Sequence, residues 1–587
     1  MGSFSDLLAG GPGNILQCLF CVRGGPDGII HGYRLPNMNA FVQDDWKVNS
    51  KLTLNLGVRW EYNGTLSDKY GNLTNTWISQ LGPNSAVPNA PLGLPGNYAG
   101  FVVPNNFDTK TWGAPPNGIL VSDKSLPVRE HPPYSNFGPR FGFAYQANSK
   151  LVVRGGAGLF YDRVGIDRFV HSVQEGNPYA ATVASLPNNT LANPYPATPA
   201  LGTFGQRWAN FTTGQTSAIN RPFMNEVMHT PLVRQYNLNL QYEFAPRWIL
   251  EVGYVGSSGI NLTDYNHNYN LASIATAAKP VNGVTSTTVA NRDLRVPYLG
   301  FGASTLQGTA YDGVSNYNSL QITARKQFSR GFTVQGAYTF SKSLTNIYNS
   351  TANSNLATDM AQQYGPSNFN RPQRFIINYS WDLPFGTHTG ALAKVAEGWN
   401  LSGVTTIQNG VRLTLIDTRG GTAFGNSQTS VEGGYSRAQM CPGTTYGDLI
   451  TPGDVKSRLG GNSGGPGYIN SAAICAPAAI NPDGSATTLA ACPGCATLYG
   501  NSGVGILPGP GQLNFDTSVI KTTRITESQS IQFRAEFFNL FNHAQFNGPS
   551  QNGVIPALPQ VNSPTGGWIT STSVNPRVIQ FALKYMF

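Results

Sequence analysis

The chain has 587 residues, of which only 11% are Asp, Glu, Lys or Arg, whereas about 25% is usual for soluble globular domains. Its net charge is +9, but the basic residues are scattered, which argues against a nucleic-acid-binding surface. No apolar run reaches the roughly 18 residues that a transmembrane helix needs. If the chain lies in a membrane it must cross it as a closed β-barrel, because lipid cannot satisfy open backbone hydrogen-bonding groups.

Segments of about ten residues alternate apolar and polar side chains, which predicts strands with one apolar face. In 52–62 the even positions are apolar or aromatic, and the odd positions are polar, charged or glycine. A similar division marks 151–162, 236–244, 332–341 and 375–383. The charged residues of these strands avoid the apolar face. This is expected where the face meets hydrocarbon, because a midplane Lys or Arg there costs roughly 2–4 kcal/mol.

Weaker alternation marks further strands, which brings the predicted total to about thirteen. These weaker strands are 40–48, 137–146, 248–256, 317–328, 399–408, 514–522, 530–539 and 579–587. Segment 317–328 carries charges on both faces, at Arg325 and Lys326, so its register stays open.

The predicted connections alternate between short turns and long segments rich in Gly, Pro and Asn. The long segments are 63–136, 163–235, 257–316, 342–374 and 409–513. Transmembrane barrels have short periplasmic turns and long extracellular loops. The alternation therefore predicts an all-β, antiparallel barrel in the cell outer membrane, with the long loops outside the cell. Segment 384–398 departs from this pattern as a long periplasmic turn.

The last predicted strand places five apolar or aromatic side chains on one face: Ile579, Phe581, Leu583, Tyr585 and Phe587. In a soluble protein such a strand would be an exposed edge prone to aggregation. Outer-membrane barrels commonly end in this pattern, which their assembly machinery reads. We therefore expect two partners, outer-membrane lipid and the barrel-assembly machinery, the latter through the strand that ends in Phe587.

The N-terminus lacks the cationic start and apolar core of a secretory signal. In addition, thirteen strands that end in the periplasm would begin outside the cell. Residues 4–8 could be the stub of one more strand. Both observations predict a truncated chain, in which 1–38 is an extracellular-loop or strand remnant and 39–587 is the barrel.

Several runs resemble the barrel of TonB-dependent receptors, particularly the Oar-like group. They are FVQDDWKV at 41–48, LTLNLGVRWEY at 52–62, FGPRFGFAY at 137–145, NRPQRF at 370–375 and FRAEFFNLFNH at 533–543. The resemblance implies a parent with about 22 strands, plugged by an N-terminal domain, that takes up a large or scarce substrate. About 13–14 of those strands are present here. Contact with the TonB complex is expected only through an N-terminal part that this sequence does not show.

One run, Gly461-Asn-Ser-Gly-Gly-Pro466, resembles the nucleophile segment of chymotrypsin-like serine proteases, with Ser463 as the nucleophile. That chemistry needs a histidine base and an orienting carboxylate. None of the seven histidines lies in a matching context, so we interpret the run as a glycine-rich loop. No catalytic, cofactor-binding or metal-ligating residue is predicted, and no enzyme activity is expected.

The six cysteines comprise two CxxC pairs and two single residues: Cys18/Cys21, Cys492/Cys495, Cys441 and Cys475. Two CxxC pairs can hold zinc, but these lie near opposite ends of the chain. Oxidised thiols are the natural state outside the cell. We expect disulfides within the 409–513 loop and leave their pairing open, with a redox-active Cys492–Cys495 pair as a minor alternative.

Two further groups of side chains follow from the strand pattern. Aromatic residues near strand ends favour an interfacial girdle, with core packing as the alternative: Trp46, Trp60, Tyr62, Trp248, Trp381 and Trp399. Charged residues opposite the apolar face would point into the lumen, where they contact substrate, pair with one another or hold a plug: Arg59, Glu61, Arg154, Asp162, Glu243 and Lys584. None of them is assigned a role.

The leading hypothesis is the barrel portion of a TonB-dependent receptor. One alternative is a self-contained, passive 14-stranded porin, which requires a closed sheet. Another is a soluble, secreted all-β carbohydrate-binding or adhesive protein, which would have loops of similar length at both sheet ends. The transported substrate is not identified by the sequence.

Overall fold

One antiparallel sheet organises the chain. The computed structural model describes residues 31–81, 100–115, 119–125, 128–163, 223–299, 301–303, 306–347, 363–386, 388–425, 436–549 and 559–587, together with the short paired strands Gln17–Cys18 and Thr182–Val183. Thirteen long strands of the sheet pair strictly in chain order, and Gly365–Pro366 adds a short strand beside the eighth.

The thirteen strands confirm the number predicted from the sequence. They are β1 (Asn37–Lys47), β2 (Leu52–Asn63), β3 (Phe137–Gln146), β4 (Leu151–Tyr161), β5 (Leu232–Ala245), β6 (Trp248–Asn268), β7 (Gln307–Ser329), β8 (Phe332–Thr345), β9 (Gln373–Asp382), β10 (Trp399–Gln408), β11 (Gln512–Arg524), β12 (Ser530–Phe538) and β13 (Val578–Met586). Strands β6 and β7 extend well beyond their predicted bounds, which shortens the connection predicted at 257–316.

The connections alternate between the two ends of the sheet, as predicted. Short turns lie at one end, and the turn at 383–398 contains the helix Gly390–Ala396. The long connections lie at the other end, at 64–136, 162–231, 269–306, 346–372, 409–511 and 539–577. The last of these is missing from the predicted set, although it is equally rich in Asn, Gly and Pro. We call the described residues of the long connections the crown.

The register gives the sheet one continuous apolar face. Directly opposed residues on neighbouring antiparallel strands lie on the same face, and Leu56 opposes Phe141, which opposes Ala157, which opposes Tyr236. Followed across all strands, this face holds the even-numbered residues of β1, β2 and β5 to β8, and the odd-numbered residues of β3, β4 and β9 to β13.

The apolar side chains of this face are largely exposed. Along β5, the residues Tyr236, Leu238, Leu240, Tyr242 and Phe244 are between 36% and 48% exposed. Among the described residues, the buried apolar side chains that lie within the thirteen strands are few: Tyr62, Ala310 and Ala535. An apolar surface of this extent is unfavourable in water and requires another cover.

Basic residues on the apolar face lie toward strand ends. Near the short turns, the Lys326 ammonium lies 4.8 Å from the Phe332 ring centre, and that of Lys521 lies 5.6 Å from the Trp399 ring centre. Long basic side chains at such positions keep their stems in apolar surroundings and their charge in water. Arg325 lies on the opposite face, 3.4 Å from Glu251. This settles the register of β7 that the sequence left open.

The crown contains the hydrophobic core of the described residues. Leu81, Phe101, Phe223 and Phe301 pack together from three connections, and a larger cluster joins 409–511 to Ile569. Short paired strands support it: Tyr33–Arg34 with Ser67–Asp68, Asn75–Thr76 with Phe101–Val103 and Leu120–Val121, Arg412–Leu413 with Leu507–Pro508, Ile416–Asp417 with Ser436–Arg437, Gln439–Met440 with Ile474–Cys475, and Ala478–Ile480 with Ala486–Thr488 and Ala496–Thr497.

Helical structure is sparse among the described residues. Besides Gly390–Ala396, one α-helical turn spans Thr109–Trp112, and 3-10 turns occur at Ile78–Gln80, Arg292–Leu294, Thr422–Phe424, Tyr446–Leu449, Val455–Arg458, Gly461–Ser463 and Ser471–Ala473. Within the described part of the chain, no helix is both long and apolar enough to span a membrane.

We predict that a charge on the apolar face of a central strand destabilises the fold, whereas the same charge one residue away does not. Leu240→Arg should lower the free energy of unfolding in lipid vesicles by about 2–4 kcal/mol, because the guanidinium would enter hydrocarbon. The matched control is Gln241→Arg, on the opposite face of β5, which should lower it by less than about 1 kcal/mol. Denaturant unfolding followed by tryptophan fluorescence measures both variants, and equal losses would contradict the assignment of the faces.

Candidate functional site in the polar face and the crown

The polar face of the sheet carries paired charges. Arg59 and Glu61 form an ion pair, and the Glu243 carboxylate accepts a hydrogen bond from the Arg247 amide at 3.1 Å. All six charged residues predicted to face the lumen stand at the odd or even positions that the strand alternation assigns to this polar face. Asp162 lies just after β4, where its carboxylate accepts the Arg163 amide at 2.8 Å. A face of this kind can line a wet interior.

The aromatic residues predicted to form a girdle lie on the apolar face. Trp46 and Trp381 are exposed, and the indole of Trp399 donates to the Val395 carbonyl at 2.9 Å beside the short-turn end. Tyr62 differs, since it is only 8% exposed and stacks on Tyr134 with ring centres 4.4 Å apart. Core packing within the crown therefore describes Tyr62 better than an interfacial position does.

The connection after β2 is fixed to the one after β4. The Asn75 side chain and the Met224 backbone exchange two hydrogen bonds of 2.9 Å. The Glu226 carboxylate accepts from both the amide and the hydroxyl of Ser79, at 3.0 and 2.7 Å. Because these partners lie far apart in the sequence, their reciprocal bonds give the crown a defined shape over this part of the sheet.

Asp68 anchors the segment before β1. Its carboxylate lies 2.8 Å from His31 Nδ1 and accepts the Gly32 amide at 2.8 Å. Burial alone would raise the pKa of Asp68, but the hydrogen bonds from His31 and the backbone lower it below its usual value. The carboxylate is thus held in its charged form.

Arg295 joins two other connections. Its side chain is fully buried, and Nη2 donates to the carbonyls of Ala423 and Thr288 at 2.9 and 3.1 Å, while Nε donates to Asn291 Oδ1 at 2.8 Å. Burial lowers the pKa of this guanidinium. A buried charge is tolerated only where its donors are satisfied, so Arg295 fixes 269–306 against 409–511.

Two disulfides lie in the connection between β10 and β11, as expected. Cys441 pairs with Cys475 across 34 residues, and Cys492 pairs with Cys495 across three. These bonds resolve the pairing that the sequence left open. The CxxC pair Cys18/Cys21 falls in a segment whose side chains lie outside the described residues.

Ser463 lies in the 3-10 turn Gly461–Ser463 of the crown. Its amide donates to the Gly460 carbonyl at 3.2 Å, and both Gly460 and Gly461 adopt positive φ close to the Trp568 ring. Among the hydrogen bonds of the described residues, none joins Ser463 to a histidine. The run at 461–466 thus belongs to a turn that begins beside Trp568.

The structure brings together three residues that the sequence did not single out. Asp264, His267 and Asp312 place one ligand-type atom each within 4.8 Å of one another. Two of them lie on β6 at a spacing of three, which in a regular strand would send them to opposite faces. No local spacing rule marks this group, because it depends on an irregularity in the pairing of β6 with β7.

Comparison with known proteins identifies the family. The model of a family described as an outer membrane beta barrel domain matches residues 2–580. The chain therefore belongs to this family and is an outer-membrane protein, and the alternative of a soluble, secreted protein is not retained. No curated protein matches the chain.

Three transporters or receptors are among the solved structures that resemble the chain. The outer membrane transporter YddB from Escherichia coli is 13% identical with a TM-score of 0.43, over 94% of this chain and 45% of that one. The ferric citrate transporter FecA is 7% identical with a TM-score of 0.39, over 96% and 47%. BauA, the ferric preacinetobactin receptor from Acinetobacter baumannii, is 11% identical with a TM-score of 0.39, over 96% and 45%. The chain spans less than half the length of each.

We predict that the two disulfides contribute unequally to the stability of the crown. Loss of Cys441–Cys475 through Cys441→Ser and Cys475→Ser should cost about 3–4 kcal/mol, because a long loop is released in the unfolded state. Loss of Cys492–Cys495 by the corresponding serine pair should cost about 1–2 kcal/mol. Limited proteolysis of the refolded chain measures local opening of the crown. Equal sensitivity of the two double variants would contradict this ranking.

Proposed function

We propose that the chain forms the barrel portion of a TonB-dependent receptor that takes up a large or scarce substrate. The observation that carries this proposal is an open sheet. In the described part of the chain, β1 and β13 each pair with one neighbour and do not pair with each other. A barrel wall needs both edges paired in lipid, so additional strands must lie between them.

The direction of the strands argues against direct closure of the thirteen described strands. Both β1 and β13 begin at the crown and end at the short turns, since an even number of reversals separates them. Direct closure would pair them in parallel, whereas bacterial barrels have an even number of antiparallel strands. An odd number of further strands restores antiparallel pairing: nine would complete a parent barrel of about 22 strands, and one would complete a 14-stranded porin.

The two ends of the sheet suggest how such a receptor is oriented. The crown, with its disulfides and folded connections, faces the outside, and the short turns face the periplasm. The strand that ends at Phe587 serves recognition by the barrel-assembly machinery. Substrate meets the crown first and then the polar face, while the TonB complex acts through a plug region that is not seen in this sequence.

The orientation predicts the labelling of two introduced cysteines. Ser471→Cys, exposed in the crown, should react with a membrane-impermeant maleimide on intact cells. Ser149→Cys, exposed in the turn between β3 and β4, should react only after the outer membrane is permeabilised. The unsubstituted chain is the control for native cysteines. Labelling of Ser149→Cys alone on intact cells would reverse the proposed orientation.

The receptor and the porin hypotheses differ in two measurements. An affinity tag is placed in the 147–150 turn of the chromosomal gene, so that the protein keeps any plug region that the gene encodes. Cross-linking in the native host should then yield an adduct with TonB that decreases when the proton gradient is collapsed. The purified chain should give no stable single-channel conductance in planar bilayers, because its sheet is open. A uniform, long-lived conductance together with no TonB adduct would favour the porin and contradict the proposal.

A further inference from the structure

Strands β6 and β7 form the longest hairpin of the sheet. They contain 21 and 23 residues, whereas a transmembrane strand needs about 9–11. Their crown-side arms therefore project beyond the apolar band. Asp264 and His267 lie on one arm, and Asp312 lies on the other.

Irregular pairing gathers these three side chains. Asp264 opposes Ala310 and His267 opposes Gly308, so three steps on β6 match two steps on β7. A bulge of this kind changes the direction of a side chain. Here it brings the side chains of residues 264 and 267 to the same side of β6. A second shift, between the pairs Leu262–Gly313 and Asp264–Ala310, places an extra residue on β7 beside Asp312.

The distances among the three groups suit a shared ion. His267 Nδ1 lies 3.6 Å from Asp264 Oδ2 and 3.3 Å from Asp312 Oδ2. Tetrahedral zinc has bonds of about 2.0–2.2 Å to nitrogen and oxygen, which separates neighbouring ligand atoms by roughly 3.3–3.6 Å. Good N–H···O hydrogen bonds are shorter, at about 2.7–3.2 Å. Nδ1 of His267 is buried and has no hydrogen-bond partner among the described residues.

The surroundings favour positive charge and hold the imidazole in place. The Tyr269 ring packs against that of His267, with centres 4.6 Å apart. The carboxylates of Asp264 and Asp312 both lie close to the imidazole of His267. The same two carboxylates would attract a metal ion. Asp264 is 7% exposed, whereas the Asp312 side chain is 36% exposed and leaves a path from solvent.

We propose that Asp264, His267 and Asp312 bind a divalent first-row transition-metal ion such as Zn²⁺. One imidazole and two carboxylates suit zinc, whereas Ca²⁺ and Mg²⁺ prefer oxygen ligands alone. Water or a small anion would take the fourth position. The ion would join the two arms of the β6–β7 hairpin at the base of the crown. This proposal does not depend on the receptor function.

A zinc titration of the full chain tests the site. The chain is refolded in detergent, stripped with a chelator and titrated with ZnCl₂ against a chromophoric competitor. The unsubstituted chain should bind one more equivalent than His267→Gln, and Asp312→Asn should weaken that site at least tenfold. The matched control is His31→Gln, which breaks a histidine–carboxylate pair with no third ligand among the described residues and should leave zinc binding unchanged. Far-UV circular dichroism and limited proteolysis confirm that each variant is folded.

Binding of Co²⁺ adds a spectroscopic measurement that would not change if His267 had only a structural role. Co²⁺ in the unsubstituted chain should give the visible absorption of a four-coordinate site, and His267→Gln should abolish it. An equal zinc stoichiometry in the unsubstituted chain and in folded His267→Gln would overturn the proposal. So would undiminished binding by folded Asp312→Asn, or displacement of the zinc by an equal concentration of Ca²⁺.

Discussion

The cover of one sheet face by hydrocarbon is the constraint on which the rest of this structure depends. Thirteen strands in register place their aromatic and aliphatic side chains on a single continuous face, and the described protein does not bury them. Exposure of such a surface to water is unfavourable. Contact with lipid is not, but in lipid every backbone hydrogen-bonding group of the sheet must be paired. The strand alternation and the terminal positions of Lys326 and Lys521 both follow from this one requirement.

Because lipid covers the apolar face of the sheet, no protein core has to pack against that face. The hydrophobic core of the described residues lies in the crown instead. In the described residues, five of the six long connections bury apolar side chains. Arg295 fixes 269–306 against 409–511, and the Cys441–Cys475 bond closes a loop within 409–511. The group of Asp264, His267 and Asp312 lies where the wall passes into the crown, so an ion there would stiffen that junction.

Much of the wall was predictable from the sequence, since a strand in lipid must alternate with a period of two. This rule located β5 and β13 closely, and it placed Arg59 and Glu61 on the polar face. The crown was less predictable, because its contacts join residues far apart in the chain, as between Asn75 and Met224. Tyr62 follows the strand pattern but is buried by a distant tyrosine. The grouping of His267 with Asp264 and Asp312 was not predicted, because a bulge determines the direction of the His267 side chain and sequence alternation does not reveal a bulge.

A spin-label scan along β5 shows whether hydrocarbon covers one face of the sheet. Single nitroxides at successive positions from 236 to 244, in chain reconstituted into lipid vesicles, report collision with oxygen, which concentrates in hydrocarbon, and with a water-soluble nickel chelate. If hydrocarbon covers the even-numbered face, collisions with oxygen reach maxima at the even positions, and collisions with the nickel chelate reach maxima at the odd positions along the whole strand. Equal access of the nickel chelate to even and odd positions would show that water covers both faces, and would contradict a lipid-covered face.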